Sequence, residues 1–446
     1  MSNADKINAW LDQHGITEIE CMVPDMTGTP RGKIIPRYKY NPAEGMRMAE
    51  AVFTQTVTGN YPEEDFTPET DPDMRLLPDP DTVRLVPWAA EPTAQIIHDS
   101  LRFDGTPVEL APRNVLKRVL AEYEKLGMRP VIAPEMEFYL VQMQPDEDLP
   151  LEPPVGRTRR TEAGRQSFSI DAMNDYEDIF DVMYDWCEAQ NIGVDTLIHE
   201  MGPAQMEINL DHGDPLALAD QVFLFKRTIR EVAIRKNMYA TFMAKPMQGE
   251  PGSAMHLHQS VVDMASGQNV FSNAQGEATE AFFHHIAGLQ TYLPAAMPFL
   301  APFVNSYRRL SRFSAAPINL EWGYDNRTCG LRVPQAHPQA RRVENRLPGV
   351  DANPYLAFAA SLGAGLLGMQ QQLRPTEPLT GSGYSRPKKL PRHLDDAVEE
   401  LLACTPLHDL LGHNFVKCYA AIKETEFEEF FEVISPWERR YLLLQV

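Results

Sequence analysis

Apolar residues in the first hundred positions occur in short clusters, ITEIECMV, GKIIP, TVRLVP and AQIIHD, separated by acidic, turn-rich segments such as DFTPETDPD and LLPDPD. Short runs broken by Pro, Asp and Gly predict a small sheet-rich domain with long loops. LRFDGTPVELAP, residues 101–112, marks a boundary. From Pro112 the positions Val115, Leu116, Val119, Leu120, Tyr123 and Leu126 recur at helical spacing up to Gly127, and Pro at the start with Gly at the end suits a helix. The pattern divides the chain into domains at 1–108 and 109–446. In the second, VIAPEMEFYL, ATFMAKP and SAMHLHQSVVD read as strands, and DYEDIFDVMYDWCEAQ has helical spacing. Asp214 and Pro215 supply the cap and first-turn proline of a helix through Val222, Phe225, Ile229 and Val232. LAFAASLGAGLLG, after Asn353-Pro354, reads as a buried helix rich in small residues. The expected fold class is α+β, with helices packed on a mainly antiparallel sheet. The polar segment 152–167 reads as a mobile loop.

Composition narrows the function classes. With 446 residues, 43% hydrophobic and 23% charged, the chain has the make-up of a globular protein large enough for two domains. A formal charge of −21 argues against a nucleic-acid or anionic-membrane binder and is compatible with cationic substrates. Five cysteines, at 21, 187, 329, 404 and 418, include no CxxC pair and read as reduced thiols. No apolar run reaches the ~20 residues of a membrane span, and MSNADKINAW lacks a signal-peptide core. The expected location is the cytoplasm.

Two segments place metal-ligating residue types at i, i+2: Glu135 and Glu137 in PEMEFYL, and His256 and His258 in MHLHQS. A strand points such pairs to one face. Either pair alone also fits an ordinary explanation, a solvated strand face for the glutamates and satisfied imidazoles for the histidines. Glu200 and Glu207 in HEMGPAQMEINL would face opposite ways on a regular strand, but Gly202-Pro203 breaks the regularity and lets both converge. Arginines cluster at Arg309, Arg327, Arg332, Arg341, Arg342 and Arg346, with Glu344 among them. Guanidinium groups clamp phosphate and carboxylate bidentately, although a salt-bridged basic surface has the same composition. Oxygen ligands with one imidazole favour Mg²⁺ or Mn²⁺ over zinc. There is no GxxxxGK[ST] loop, so the residues themselves lead to an ATP- and metal-dependent enzyme outside the P-loop class.

The segments PEMEFYL, HEMGPAQMEINL, ATFMAKPMQGEPGSAMHLHQS, NSYRRL, NRTCGLRVP and RRVENRLPGVDANPYLAFAA together resemble the glutamine synthetase superfamily and run through nearly the whole chain. TGTPRGKIIP and the stretch 152–171 add a closer similarity to its γ-glutamylpolyamine synthetases, which join the side-chain carboxylate of glutamate to an amine such as putrescine. The resemblance implies an N-terminal β-grasp-like domain and a catalytic α/β domain with a curved antiparallel sheet. It also implies a homo-oligomer of stacked rings, usually a dodecamer, with sites formed between subunits. L-glutamate, ATP and a primary amine would be the substrates, with two or three Mg²⁺ or Mn²⁺ ions per site. Carried over by motif, Glu137, Glu200 and Glu207 would hold one ion and Glu135, His256 and Glu344 another. Gly252, His256, Arg309 and Arg346 would contact glutamate, and His258, Ser260, Arg332 and Arg342 the nucleotide. Arg327 would face the transferred phosphate, so that Arg327, Arg309 and Glu344 take part in the reaction itself.

The departures bear on the amine. Glutamine synthetases proper carry a flap glutamate where this chain has Ala315, and the aspartate of their DGSS motif is missing from FTQTVTG. Collecting and deprotonating ammonium requires negative charge; alanine removes it and opens space. An organic amine is therefore expected, with ethanolamine, a monoamine or an aromatic amine as alternatives to a polyamine; Ala315 weighs against glutamine synthetase itself, and the six filled ligand positions weigh against a non-catalytic structural relative. Pro251 and Gln339 replace an asparagine and a lysine of the family pattern near glutamate and ATP.

Overall fold

The structure is a computed structural model and describes residues 1–64, 66–162, 164–312 and 315–446. The first sheet has six strands: β1 (Glu18–Pro24), β2 (Pro30–Pro36), β3 (Met46–Ala49), β4 (Asp73–Pro78), β5 (Arg84–Leu85) and β6 (Thr93–Leu101). Their order is β2-β1-β6-β4-β3, with β5 on β6. β1 runs parallel to β6 and the other pairs are antiparallel. A helix at Asn3–Gln13, capped by the Ser2 side chain, precedes it and buries Ile7 and Leu11. This helix and β3 were not foreseen from the pattern. β4 falls where LLPDPD reads as a turn: Met74 and Leu76 alternate inward and the turn begins only after Pro78.

The second sheet has eight strands: β7 (Met128–Gln142), β8 (Val194–His199), β9 (Gln205–Leu210), β10 (Met238–Thr241), β11 (Met255–Asp263), β12 (Trp322–Tyr324), β13 (Leu331–Val333) and β14 (Val343–Asn345). Their order is β12-β13-β14-β11-β7-β9-β8, with β10 on β7. All pairs are antiparallel except β12 with β13. The strand read in ATFMAKP stops at Thr241.

Helices cover one face of this sheet. Pro112–Lys125 buries Val115, Leu116, Val119 and Tyr123, and Gly127 leaves it in the left-handed region at φ +69°. Pro215–Arg235 begins where the Asp214 carboxylate accepts the amides of Leu216 and Ala217, satisfying two donors that a helix start otherwise leaves free. Pro354–Gln370 is buried on nearly every side. It packs on Glu280–Leu300 so closely that a Cβ at Gly288 would meet Gly368 Cα at 2.7 Å, which is the use of the small residues in LAFAASLGAGLLG. The described residues of the loop expected at 152–167, which exclude position 163, are irregular chain pinched by a bridge between Val155 and Thr161. Among the described residues no helix is long and apolar enough to cross a membrane.

Candidate active site

Register assembles the site. His256 on β11 lies opposite Glu135 on β7. On the other side of β7, Glu207 and Asn209 of β9 lie opposite Glu137 and Glu135. Glu344 of β14 lies opposite His258, and Arg332 of β13 opposite Glu344. Directly paired residues share a face of a sheet, as do residues i and i+2. One face of five adjacent strands therefore carries Glu207, Glu135, Glu137, His256, His258, Glu344 and Arg332. Glu200 joins from the turn between β8 and β9, where Gly202-Pro203 reverses the chain.

Ligand atoms of Glu137, Glu200 and Glu207 all lie within 4.8 Å of one another. Those of Glu135, Glu207 and His256 form a second such group, and those of Glu135, His258 and Glu344 a third. The first matches the set implied by family resemblance. The second implied set, Glu135, His256 and Glu344, is spread over the other two groups, with His256 Nδ1 3.4 Å from Glu135 and 3.9 Å from Glu344. His258 Nε2 is 2.8 Å from Glu135 Oε1, while its Nδ1 faces the Nε of Arg342 at 3.0 Å. Arg342 can only donate, so His258 accepts there and donates to Glu135, bridging the arginine to the carboxylate.

Charge in the cage is unbalanced without cations. Burial, then the neighbouring Glu200, pushes the Glu137 carboxyl up to about 8. Burial and the charges of Glu137 and Glu135 raise Glu207 to about 9, and burial raises Glu200. Glu135 and Glu344 go the other way. Burial opposes their ionisation, but hydrogen bonds from His256 and His258 outweigh it at Glu135, and Arg346 and His256 outweigh it at Glu344. Hard carboxylate oxygens held together against their own repulsion fit divalent cations.

A cavity of about 610 Å³ opens on the cage and is also lined by Gly252, Arg309, Arg327, Arg332, Arg346, Ala315, Tyr384 and Phe168. Arg346 and Arg332 grip opposite oxygens of Glu344 at 2.5 and 2.7 Å. Arg309 is buried and donates to the Leu347 carbonyl. Gly252 is required beneath it, since a Cβ there would overlap Arg309 Cγ and the Ala244 carbonyl. Arg327 is exposed, with no hydrogen bond or ion pair to any described residue. A second cavity, of about 430 Å³, shares Glu135 and Asn209 with the first and is lined by His258, Ser260, Gln339 and Arg342. Arg332 lines the first cavity and not the second. Arg341, counted in the arginine cluster, instead holds the Phe271 and Gly276 carbonyls and Ser272.

Sequence reasoning passed over Gln205 and Asn209. Gln205 is buried and its Nε2 donates to the Gly252 carbonyl at 3.1 Å, Ser253 Oγ at 3.3 Å and Glu137 Oε2 at 3.4 Å. Both stand two residues from Glu207 on one strand, so alternation in QMEIN could have found them. Tyr384 and Phe168 arrive from distant loops without such a signal.

A carboxylate cage able to hold cations between an arginine-lined cavity and a second cavity is suited to moving a phosphoryl group. That arrangement belongs to metal-assisted phosphoryl-transfer chemistry. The family model for the glutamine synthetase catalytic domain matches residues 109–442. The gamma-glutamylputrescine synthetase PuuA of Escherichia coli is 34% identical over 449 residues, spanning 98% of this chain and 94% of the relative. A glutamate–isopropylamine ligase from a Pseudomonas species is 32% identical over 455 residues, spanning 98% and 97%. A solved structure described as a GmaS/ADP complex superposes with a TM-score of 0.85 at 29% identity, covering 98% of this chain and 99% of that one. The chain belongs to the glutamine synthetase family.

Proposed function

We propose that this protein joins the γ-carboxylate of L-glutamate to a primary amine, a polyamine such as putrescine, through γ-glutamyl phosphate with conversion of ATP to ADP. The observation that carries the reading is the Glu137–Glu200–Glu207 group beside Arg309, Arg327 and Arg346 in one cavity. In this reading Glu137, Glu200 and Glu207 hold one ion and Glu135, His256 and Glu344 another. Bound cations would offset the negative charge of the phosphate oxygens. Gly252, Arg309 and Arg346 hold the glutamate, with its side-chain carboxylate towards the cage. His258, Ser260, Arg332 and Arg342 hold the nucleotide, three of them from the second cavity. The γ-carboxylate attacks the terminal phosphorus, ADP leaves, and Arg327, which has no partner among the described residues, takes up charge on the transferred group. A neutral amine then displaces phosphate.

The acceptor assignment is supported by Ala315, which puts a methyl group where ammonium capture needs a carboxylate, and by the name of the Escherichia coli relative. A second reading, a small monoalkylamine, is favoured by the apolar lining of Phe168, Met201, Ala315, Ala316 and Tyr384 and by the isopropylamine ligase. The remaining expectations rest on weaker support. A β-grasp-like first domain ending near 108 agrees with the mixed sheet, its single preceding helix and the start of the family match at 109. A dodecamer of two hexameric rings follows the family, and five free cysteines suit the cytoplasm.

ADP release with glutamate and Mg²⁺ or Mn²⁺, compared across putrescine, spermidine, isopropylamine, ethanolamine and ammonium, tests the proposal. Putrescine should give the highest kcat/KM. Isopropylamine ahead of putrescine selects the second reading, and ammonium ahead of both refutes an organic acceptor.

A further inference from the structure

The turn that carries Glu200 is strained and closely held. Ala204 sits in the left-handed region at φ 54°, a conformation that is costly for a non-glycine residue and persists only where its surroundings enforce it. From within, Glu200 N–H donates to the Gln205 carbonyl at 2.8 Å, and Gly202 N–H to Gln205 Oε1 at 3.0 Å. From outside, the turn is held by a residue from the irregular segment 152–167. Glu162 Oε2 accepts the Ala204 amide at 2.9 Å and lies 3.0 Å from His199 Nε2. His199 Nδ1 in turn meets the Glu200 carbonyl at 2.7 Å. Both ring nitrogens face acceptors, so the ring donates from both. The side chains of His199 and Glu162 are 0% and 6% exposed, and Glu162 Oε1 has no partner among the described residues. One buried carboxylate oxygen thus ties down the turn at Ala204 directly and at Glu200 through His199. The same segment supplies Ser167 to the cavity wall, and Phe168, which follows it, lines the wall too, with its N–H on the His199 carbonyl at 2.8 Å.

We propose that Glu162 and His199 are positioning residues for the cation group of Glu137, Glu200 and Glu207, making the segment 152–167 part of the metal site although it contributes no ligand. The inference rests on the ligand assignment above. Outer partners that fix a ligand's orientation are worth about ten- to a hundredfold in metal affinity when removed; acting through the backbone of Glu200, this latch should fall near the lower end.

The test is Mn²⁺ binding to the full-length protein without substrates, by calorimetry, in Glu162→Ala, Glu162→Gln and His199→Gln, with Glu200→Gln as the reference for loss of a ligand. Glu162→Ala is expected to weaken one Mn²⁺ site about tenfold, with kcat at saturating Mn²⁺ within about threefold of wild type. Glu162→Gln, which keeps an acceptor oxygen, should fall between the two. A purely structural role would lower metal-free thermal stability and leave Mn²⁺ affinity unchanged. Unchanged affinity in Glu162→Ala and His199→Gln, beside a weakened Glu200→Gln, overturns the proposal. Unchanged affinity in Glu200→Gln as well means that the ligand assignment has failed, and the latch with it. If Glu162→Ala does not fold, His199→Gln decides in the same way.

Discussion

Replacing Glu137 by Gln should move stability and metal binding in opposite directions. Burial and Glu200 raise the Glu137 carboxyl to about 8, against an ordinary value near 4.5. Folding therefore makes the metal-free protein take up a proton that the unfolded chain releases. The folded state binds more protons over this interval, so stability falls as pH rises from about 4.5 through about 8. At pH 7.5 retaining that proton costs on the order of 4 kcal/mol for a shift of this size at 1.36 kcal/mol per unit. Glutamine removes the cost. Its carbonyl oxygen can keep the bond that Glu137 Oε2 accepts from the Ala254 amide at 2.8 Å. Thermal unfolding in EDTA should thus show Glu137→Gln more stable than wild type at pH 8, by several degrees, with the advantage vanishing near pH 5. With Mn²⁺ the order should reverse, because the wild type gains binding energy on releasing its proton and the amide cannot. A metal-free variant less stable than wild type at pH 8, or equal stabilisation of both proteins by Mn²⁺, would refute the account of the cage.

Gly252→Ala forces a Cβ into Arg309 and the Ala244 carbonyl; the KM for glutamate should rise at least tenfold while Mn²⁺ binding holds, as read from initial rates and calorimetry. Arg327→Ala should lower kcat about a hundredfold or more by removing a donor to developing charge, with thermal stability unchanged because the side chain has no partner among the described residues to lose. Arg113→Met tests the junction of the first sheet with the helices Pro112–Lys125 and Pro215–Arg235. Arg113 is 3% exposed and binds Asp220 through two bonds of 2.8 and 3.0 Å, Asp79 at 2.7 Å, and Asp99. Removing the buried cation from these carboxylates, of which Asp99 keeps Lys117 and Asp220 keeps the Tyr355 hydroxyl, should destabilise by about 3–5 kcal/mol, measured by urea unfolding, and an unchanged midpoint would mean that the network contributes little.

Much of the site was legible because strand alternation is a local rule. Glu135, Glu137, His256 and His258 could be paired at sight, and Glu207 with its neighbours follows the same period. The N-terminal helix was missed because Ile7 and Leu11 are its only buried residues, a weak stripe among polar positions. β4 was missed because Pro78 made its end look like a turn. Arg341 shows the opposite error: it shares a sequence cluster with Arg342, but adjacent residues of extended chain point to opposite sides, and Arg341 binds carbonyls away from the cavity.

The sequence by itself determined the chemistry. Carboxylates and imidazoles at i, i+2, an arginine-rich second half and the absence of a phosphate-binding glycine loop are properties of residue type and spacing, and they hold before any contact forms. Only tertiary structure decided which groups act together. Register set Glu207 beside Glu137 and Glu344 beside His258, because cross-strand pairing depends on hydrogen bonds between segments roughly seventy to ninety residues apart in number. It also raised Glu137 and Glu207, since a carboxyl is perturbed by burial and by neighbouring charge, neither of which exists in an extended chain. The tie from Glu162 to the Glu200 turn has the same origin: a polar loop becomes part of a cation site only once the fold has buried its carboxylate against His199.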